Sequence, residues 1–309
     1  MYEKYLSKSN IPLYPGPKKF SPEFHASYLK HDTHRFSLQG IKNDEGFKDP
    51  NHGSEDPDGL SLVWFSLAVQ ENEIQSAEQT LLKKTNMHAE PGFLKKLASS
   101  PAFSEKSRYG SYRFTFMVQE VLKAYSEQFC SGEQPCMRVL RTSLYRQEVM
   151  YAVLVHSPDK NQRFKDSYPE VSDHPDAVCA YRDGHFIWRP QAMCETHRYE
   201  LTVNGNGVKA EKATEPHQWY VWDHITIALL VEDGKVLKFG SDVLLQRLTF
   251  CKKDQVIVAP RCYDSRDLAE NWVKTLWGET TFELKEESSS VEESALEERF
   301  EDLSLLDEK

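Results

Sequence analysis

The chain has no apolar run of transmembrane length, and its first twenty residues hold no hydrophobic signal core. Those absences argue against a membrane span and against secretion. It has no P-loop, no dinucleotide-binding glycine fingerprint and no Gly-x-Ser-x-Gly elbow, which removes the commonest phosphate-cradling and serine-hydrolase designs. Its six cysteines, Cys130, Cys136, Cys179, Cys194, Cys251 and Cys262, follow no regular spacing. Without a secretory leader they read as reduced thiols, and the expected location is cytoplasm or nucleus. Glycine is scarce, 14 in 309 residues, so the few Asx-Gly pairs carry weight as turn signals.

What is present is enough apolar sequence for a sizeable core, 39% hydrophobic and 12% aromatic, together with an uneven charge. The net charge is −10, and Glu283 to Lys309 alone contains eleven acidic and three basic residues. The rest is close to neutral, which disfavours a general nucleic-acid coat. The pattern predicts an α+β fold. Residues 1–23, with prolines at Pro12, Pro15, Pro17 and Pro22, read as an extended arm. Residues 24–160 read as a mixed sheet with helices, and 175–280 as a β-rich antiparallel module ending in helices. Residues 284–309 read as a disordered acidic tail.

Within the first part, Leu60 to Val69 and Leu144 to His156 are the most strand-like runs. Val149, Tyr151, Val153 and Val155 fall at every second position of the latter. Tyr112 to Phe116 and Cys136 to Leu140 read as further strands. Helical spacing is found over Phe36–Ile41, Ile74–Lys84 and Val118–Phe129. In the second part, three turn signals, Asp183-Gly184, Asn204-Gly205-Asn206 and Glu232-Asp233-Gly234, each sit between strand-like runs, which predicts a meander. Two helices should follow, one capped by Ser241 and one by Ser265 with Gly278 at its end.

Three short constellations bear on chemistry. His31 and Thr33, two apart on an extended strand, face the same side and can meet one sugar edge. Trp64-Phe65-Ser66 offers a flat ring for stacking and a hydroxyl beside it. Glu148 leads the strand Val149-Met150-Tyr151-Ala152-Val153, where a carboxylate either pairs with Arg141 or Arg146 or stabilises a cationic sugar. Taken in order, these resemble the ADP-ribosyltransferase superfamily of the diphtheria-toxin and poly(ADP-ribose) polymerase type. His31 and Thr33 look like its His-Gly-Thr/Ser, Trp64-Phe65-Ser66 like its Tyr-Phe-Ala/Ser, and Glu148 like the glutamate that leads its Tyr-Ile-Val-Tyr strand. The resemblance implies NAD as cofactor. It implies that His31, Thr33, Trp64, Phe65 and Ser66 bind it and that Glu148 is catalytic, in mono-ADP-ribosyl transfer or in a catalytically inactive relative. The pattern departs from the family at Asp32, which stands where the family has glycine, and at Trp64, where it has tyrosine.

Other features point elsewhere. Cys179, His185, Cys194 and His197 have some zinc-ligand character but lack a tight Cys-x2–4-Cys knuckle, and no metal is expected. Trp188, Arg189, Arg198 and Lys212 mix aromatic and basic character as a single-strand nucleic-acid face would. A solvated sheet face is the favoured reading there. Leu296, Phe300, Leu303 and Leu305, spaced through the acidic tail, resemble a leucine-rich nuclear export signal that would fold on its receptor. The alternatives to nucleotide chemistry are thus a regulatory protein that recruits partners, the export receptor among them, through this tail, or an RNA-binding module in the β-rich part. Ser288, Ser289, Ser290 and Ser294 lie among glutamates there, and phosphorylation would deepen the charge.

Overall fold

The computed structural model describes residues 22–49, 59–94, 101–103, 105–145, 148–171, 177, 179–189, 199–204, 207–212, 221–253 and 263–278. The chain is mixed α+β. It opens with β1 (Phe24–Ala26), β2 (Tyr28–Thr33), α1 (Arg35–Asp44), β3 (Gly46–Phe47), β4 (Leu62–Ala68) and α2 (Glu71–Thr85). It continues through β5 (Lys106–Ser107), β6 (Tyr112–Met117), α3 (Val118–Phe129), β7 (Cys136–Tyr145), β8 (Glu148–His156) and the short α4 (Asn161–Phe164). Then come β9 (Cys179–Arg182), β10 (His185–Trp188), β11 (Tyr199–Asn204), β12 (Gly207–Lys212) and β13 (Val221–Leu230). The last elements are β14 (Leu237–Lys238), α5 (Ser241–Arg247), β15 (Leu248–Phe250), β16 (Lys252–Lys253) and α6 (Arg266–Trp277). Among the described residues no helix is long and apolar enough to cross a membrane.

A seven-stranded sheet in the order β15-β6-β2-β4-β13-β8-β7 forms the centre. Its pairs are antiparallel except β13 with β8, which run parallel. The strand β13, expected in a separate β-rich module, lies between β4 and β8. The strand β15 from the same segment closes the other edge. The boundary placed between 160 and 175 therefore does not divide the sheet. Hydrophobic periodicity identifies strands but carries no record of which strands become neighbours.

Both faces of the sheet's middle are covered, as the near-continuous apolar runs of β4 and β8 require. Phe65, Leu67, Phe114, Phe116, Val153, Val155, Ile227 and Leu229 face the main core, under α1 and α3. Leu62, Ala152, Leu154 and Ala228 face a smaller cluster with Phe164. In α1, Leu38 and Ile41 point inward while Phe36 is exposed. In α3 the inward positions are Val118, Val121, Leu122 and Tyr125, as its spacing predicts. Glu73 and Glu78 of α2 are buried carboxylates, and backbone N–H groups satisfy both. Glu73 accepts from Ser27 at 2.7 Å and Gln70 at 2.9 Å, Glu78 from Gly92 at 3.0 Å and Leu94 at 2.9 Å.

The turn signals are realised unevenly. Asp183-Gly184 makes a two-residue hairpin between β9 and β10, with φ of 53° and 80°, the left-handed pair that such a turn needs. The strands β11 and β12 pair around 204–207. The turn at 232–234 does not make a hairpin, because β14 pairs with β3 instead. Gly46 permits that pairing: a Cβ there would lie 2.1 Å from the carbonyl oxygen of Leu237. No meander results, since β9 and β10 join β1 in their own three-stranded sheet. At the C-terminal end, Ser265 caps α6 by accepting from Leu268 N–H at 3.4 Å, and Gly278 ends it. Ser241 is the first residue of α5 rather than its cap, a place held by Gly240. Leu248, expected in that helix, begins β15.

Candidate functional site

The pairing of β2 with β4 brings two of the three sequence constellations together. Lys30 lies opposite Ser66, so His31 falls beside Phe65. The His31 Nδ1–H donates to the carbonyl oxygen of Trp64 at 2.8 Å. Its ring sits 4.7 Å from that of Phe47 and 5.7 Å from that of Phe65, centroid to centroid. Burial lowers the His31 pKa below its usual 6.5, against the opposing pull of the Trp64 carbonyl and of Asp32. Donation to a carbonyl places a proton on Nδ1. Thr33, on the same face of β2, is buried opposite Tyr112.

Strand alternation separates the aromatic triplet. Phe65 enters the main core with His31, whereas Trp64 packs on the other side of the sheet against the cluster of Leu62, Leu154 and Ala228. Ser66 shares that second face, beside Lys30 and Thr226. His31 therefore meets the backbone of Trp64 and not its ring.

Asp32 is on the second face too. It lies directly opposite Arg113 of β6 and binds it two-pronged, Oδ1 to Nε at 2.7 Å and Oδ2 to Nη2 at 2.9 Å. Burial alone would raise its pKa, but the hydrogen bonds and charge of Arg113 outweigh that and hold it below the usual 3.8. Sequence reasoning singled out Asp32 as a departure from the family pattern and missed its partner. The signal that would have found it is the registry of two strands about eighty residues apart, which no local pattern carries.

Glu148 is the first residue of β8, opposite Tyr145 and Val221. Lys30, Ser66, Thr226 and Ala152 form one row across the sheet. Glu148 lies four residues below that row and His31 one above it. With three strand spacings between them, the separation along the sheet is about 22 Å, well beyond the reach of one nicotinamide riboside. The side chains of Glu148 and Arg141, and all of Arg146, lie outside the described residues. The residues expected to hold NAD thus do not line one cradle: His31 and Phe65 are on one face, Trp64 and Ser66 on the other, and Glu148 at the far end.

The remaining features resolve in part. Among the described residues no group of His, Cys, Asp and Glu could hold a metal ion. Cys179 is buried, its thiol pushed up to about 12 by desolvation, while Cys194 and His197 lie outside the described residues. Trp188 is buried against Phe24 and Phe103, and Arg189 donates to Glu23 at 2.6 Å. Neither side chain offers a face to nucleic acid. The side chains of Arg198 and Lys212, and the tail residues Leu296, Phe300, Leu303 and Leu305, lie outside the described residues. Comparison of the chain with family models, with curated proteins and with solved structures finds no match.

Proposed function

We propose that this protein works through binding to other proteins and not through turnover, with the residues that resemble an ADP-ribosyltransferase motif serving as structure. The single observation that carries the reading is the fate of His31 and Asp32. The first is held by the Trp64 carbonyl among phenylalanine rings, the second by Arg113 in a part-buried two-pronged pair. Side chains held this way fix the positions of strands, and they have little capacity left to grip a nucleotide. The separation of Glu148 from His31 along the sheet supports the same reading. Partner recruitment then falls to the surface and to the acidic segment with Leu296, Phe300, Leu303 and Leu305, with the export receptor as one such partner and cytoplasm and nucleus as the places of action.

Calorimetric titration of the full chain with NAD tests this. The expected outcome is no heat of binding up to millimolar NAD and no ADP-ribose on any protein after incubation with labelled NAD. NAD binding that is lost in His31→Ala, or transfer that is lost in Glu148→Gln, overturns it.

A further inference from the structure

Three of the four large hydrophobic side chains exposed on the described surface belong to one neighbourhood: Phe36 at 68%, Leu268 at 56% and Tyr109 at 42% exposure. The contacts that join them are specific. Arg35 places its guanidinium 5.5 Å from the centre of the Phe36 ring and its Nη2 3.2 Å from Oδ1 of Asp264. Asp264 immediately precedes the cap of α6, whose first turn carries Leu268. Gly110, next to Tyr109, lies so close to the backbone of Thr33 and His34 that a Cβ would stand 2.3 Å from the Thr33 oxygen. The His34 ring in turn is 5.9 Å from Phe36.

Against this apolar patch stands a basic ladder. The strands β5 and β16 run parallel with Lys106 directly opposite Lys252 and Lys253 opposite the buried Ser107, and Arg108 lies just past the end of β5. Like charges opposite one another on a ladder are unfavourable. Glu105 answers Lys252 at 3.6 Å. Tyr263 joins the ladder to the patch: its hydroxyl donates to the Ser107 carbonyl, and Lys253 Nζ lies 5.9 Å from its ring centre. The basic groups here are Arg35, Lys106, Arg108, Lys252 and Lys253, against the acids Glu105, Asp264 and Asp267, while Arg266 is paired with Glu270. Such a surface fits an acidic segment punctuated by large apolar side chains.

The chain carries such a segment. From Leu296 to Leu305, the apolar residues Leu296, Phe300, Leu303 and Leu305 stand among the acids Glu297, Glu298, Glu301 and Asp302, with a single basic residue, Arg299. It follows α6, whose first turn is part of the patch and whose length is about 18 Å. The eighteen residues from Gly278 to Ala295 reach about 60 Å when extended, ample to return. We propose that Leu296–Leu305 docks in cis on the patch formed by Phe36, Tyr109 and Leu268 with the Lys106–Lys252 ladder. Docked, the segment is withheld from other proteins; released, it is available to them. This inference is independent of whether the sheet binds a nucleotide.

Hydrogen–deuterium exchange on the full chain tests it. In Lys252→Glu/Lys253→Glu, and in the wild type at about 1 M salt, where charges are screened beyond ~3 Å, exchange across 296–305 is expected to rise several-fold. Exchange in β4 and β8 should stay unchanged. Reversing Glu297, Glu298 and Glu301 to lysine in the double variant should restore protection. Phe36→Ser, at an exposed position, should raise exchange across 296–305 even if the lysine variants fold poorly. Exchange across 296–305 that ignores Phe36→Ser and salt overturns the proposal. Protection that grows with protein concentration also overturns it, because the occupant is then a second copy's tail.

Discussion

On one face of the β2–β4 pair, His31 and Phe65 sit among Phe47, Phe114 and Phe116. On the other, Lys30, Asp32, Trp64 and Ser66 meet Arg113 and Thr226. Two strands thus serve two environments, an aromatic core and a charged, largely buried layer. The difference shows that a motif read as consecutive letters is divided by the pleat. Trp64 and Phe65 are adjacent in sequence, yet they act on opposite sides of the sheet.

Substitutions can break this comparison. The largest expected effect is at Phe65, which is 1% exposed: Phe65→Ala should lower stability by about 4 kcal/mol through the cavity it leaves, as read from urea unfolding. Asp32→Ala should cost about 3 kcal/mol, because it leaves the Arg113 charge buried without its carboxylate. A loss under about 1 kcal/mol there would mean the second face behaves as ordinary solvated surface. Trp64→Ala should cost about 2 kcal/mol, clearly less than its neighbour, since Trp64 is only partly buried. Equal losses at 64 and 65 would contradict the division of the faces.

The smallest effect is a difference in pH response. Burial lowers the His31 pKa below 6.5, so between its folded pKa and 6.5 the unfolded chain binds more protons. Stability is therefore whole above 6.5 and falls as pH drops below it. His156, also lowered by burial, adds to the same window. Asp32 has its pKa lowered from 3.8, so its contribution is present above 3.8 and is lost only as pH falls through the folded value. The aromatic face should thus weaken first on acidification and the charged face last. Urea midpoints measured against pH should show a slope beginning near 6.5 that becomes shallower in His31→Gln, with the slope below 4 retained.

Much of the fold was legible in local pattern. The alternation in Tyr112–Phe116, a strand within Leu60–Val69, the stripe of α3 and the Ser265 and Gly278 ends of α6 all appear where the sequence places them, whereas the run Leu144–His156 is divided: Leu144 and Tyr145 end β7 and Glu148–His156 forms β8. The Asp183-Gly184 hairpin does too, because a positive φ at both residues is a local demand. Less of the site was legible. His31 and Trp64 meet only through an imidazole bond to a backbone carbonyl, and carbonyl direction is set by strand pairing.

The sequence by itself determined the α+β class, both ends of α6, the acidic C-terminal segment and the side-chain alternation that assigns each strand residue to one of two faces. Periodicity, capping chemistry and composition act over a few residues, and they are written there. Only the tertiary structure decided that β13 enters between β4 and β8, that Asp32 faces Arg113 across eighty-one residues, and that Glu148 begins its strand far from His31. Those outcomes depend on which apolar faces bury together and in what register. That is a balance over the whole chain, which no single stretch encodes.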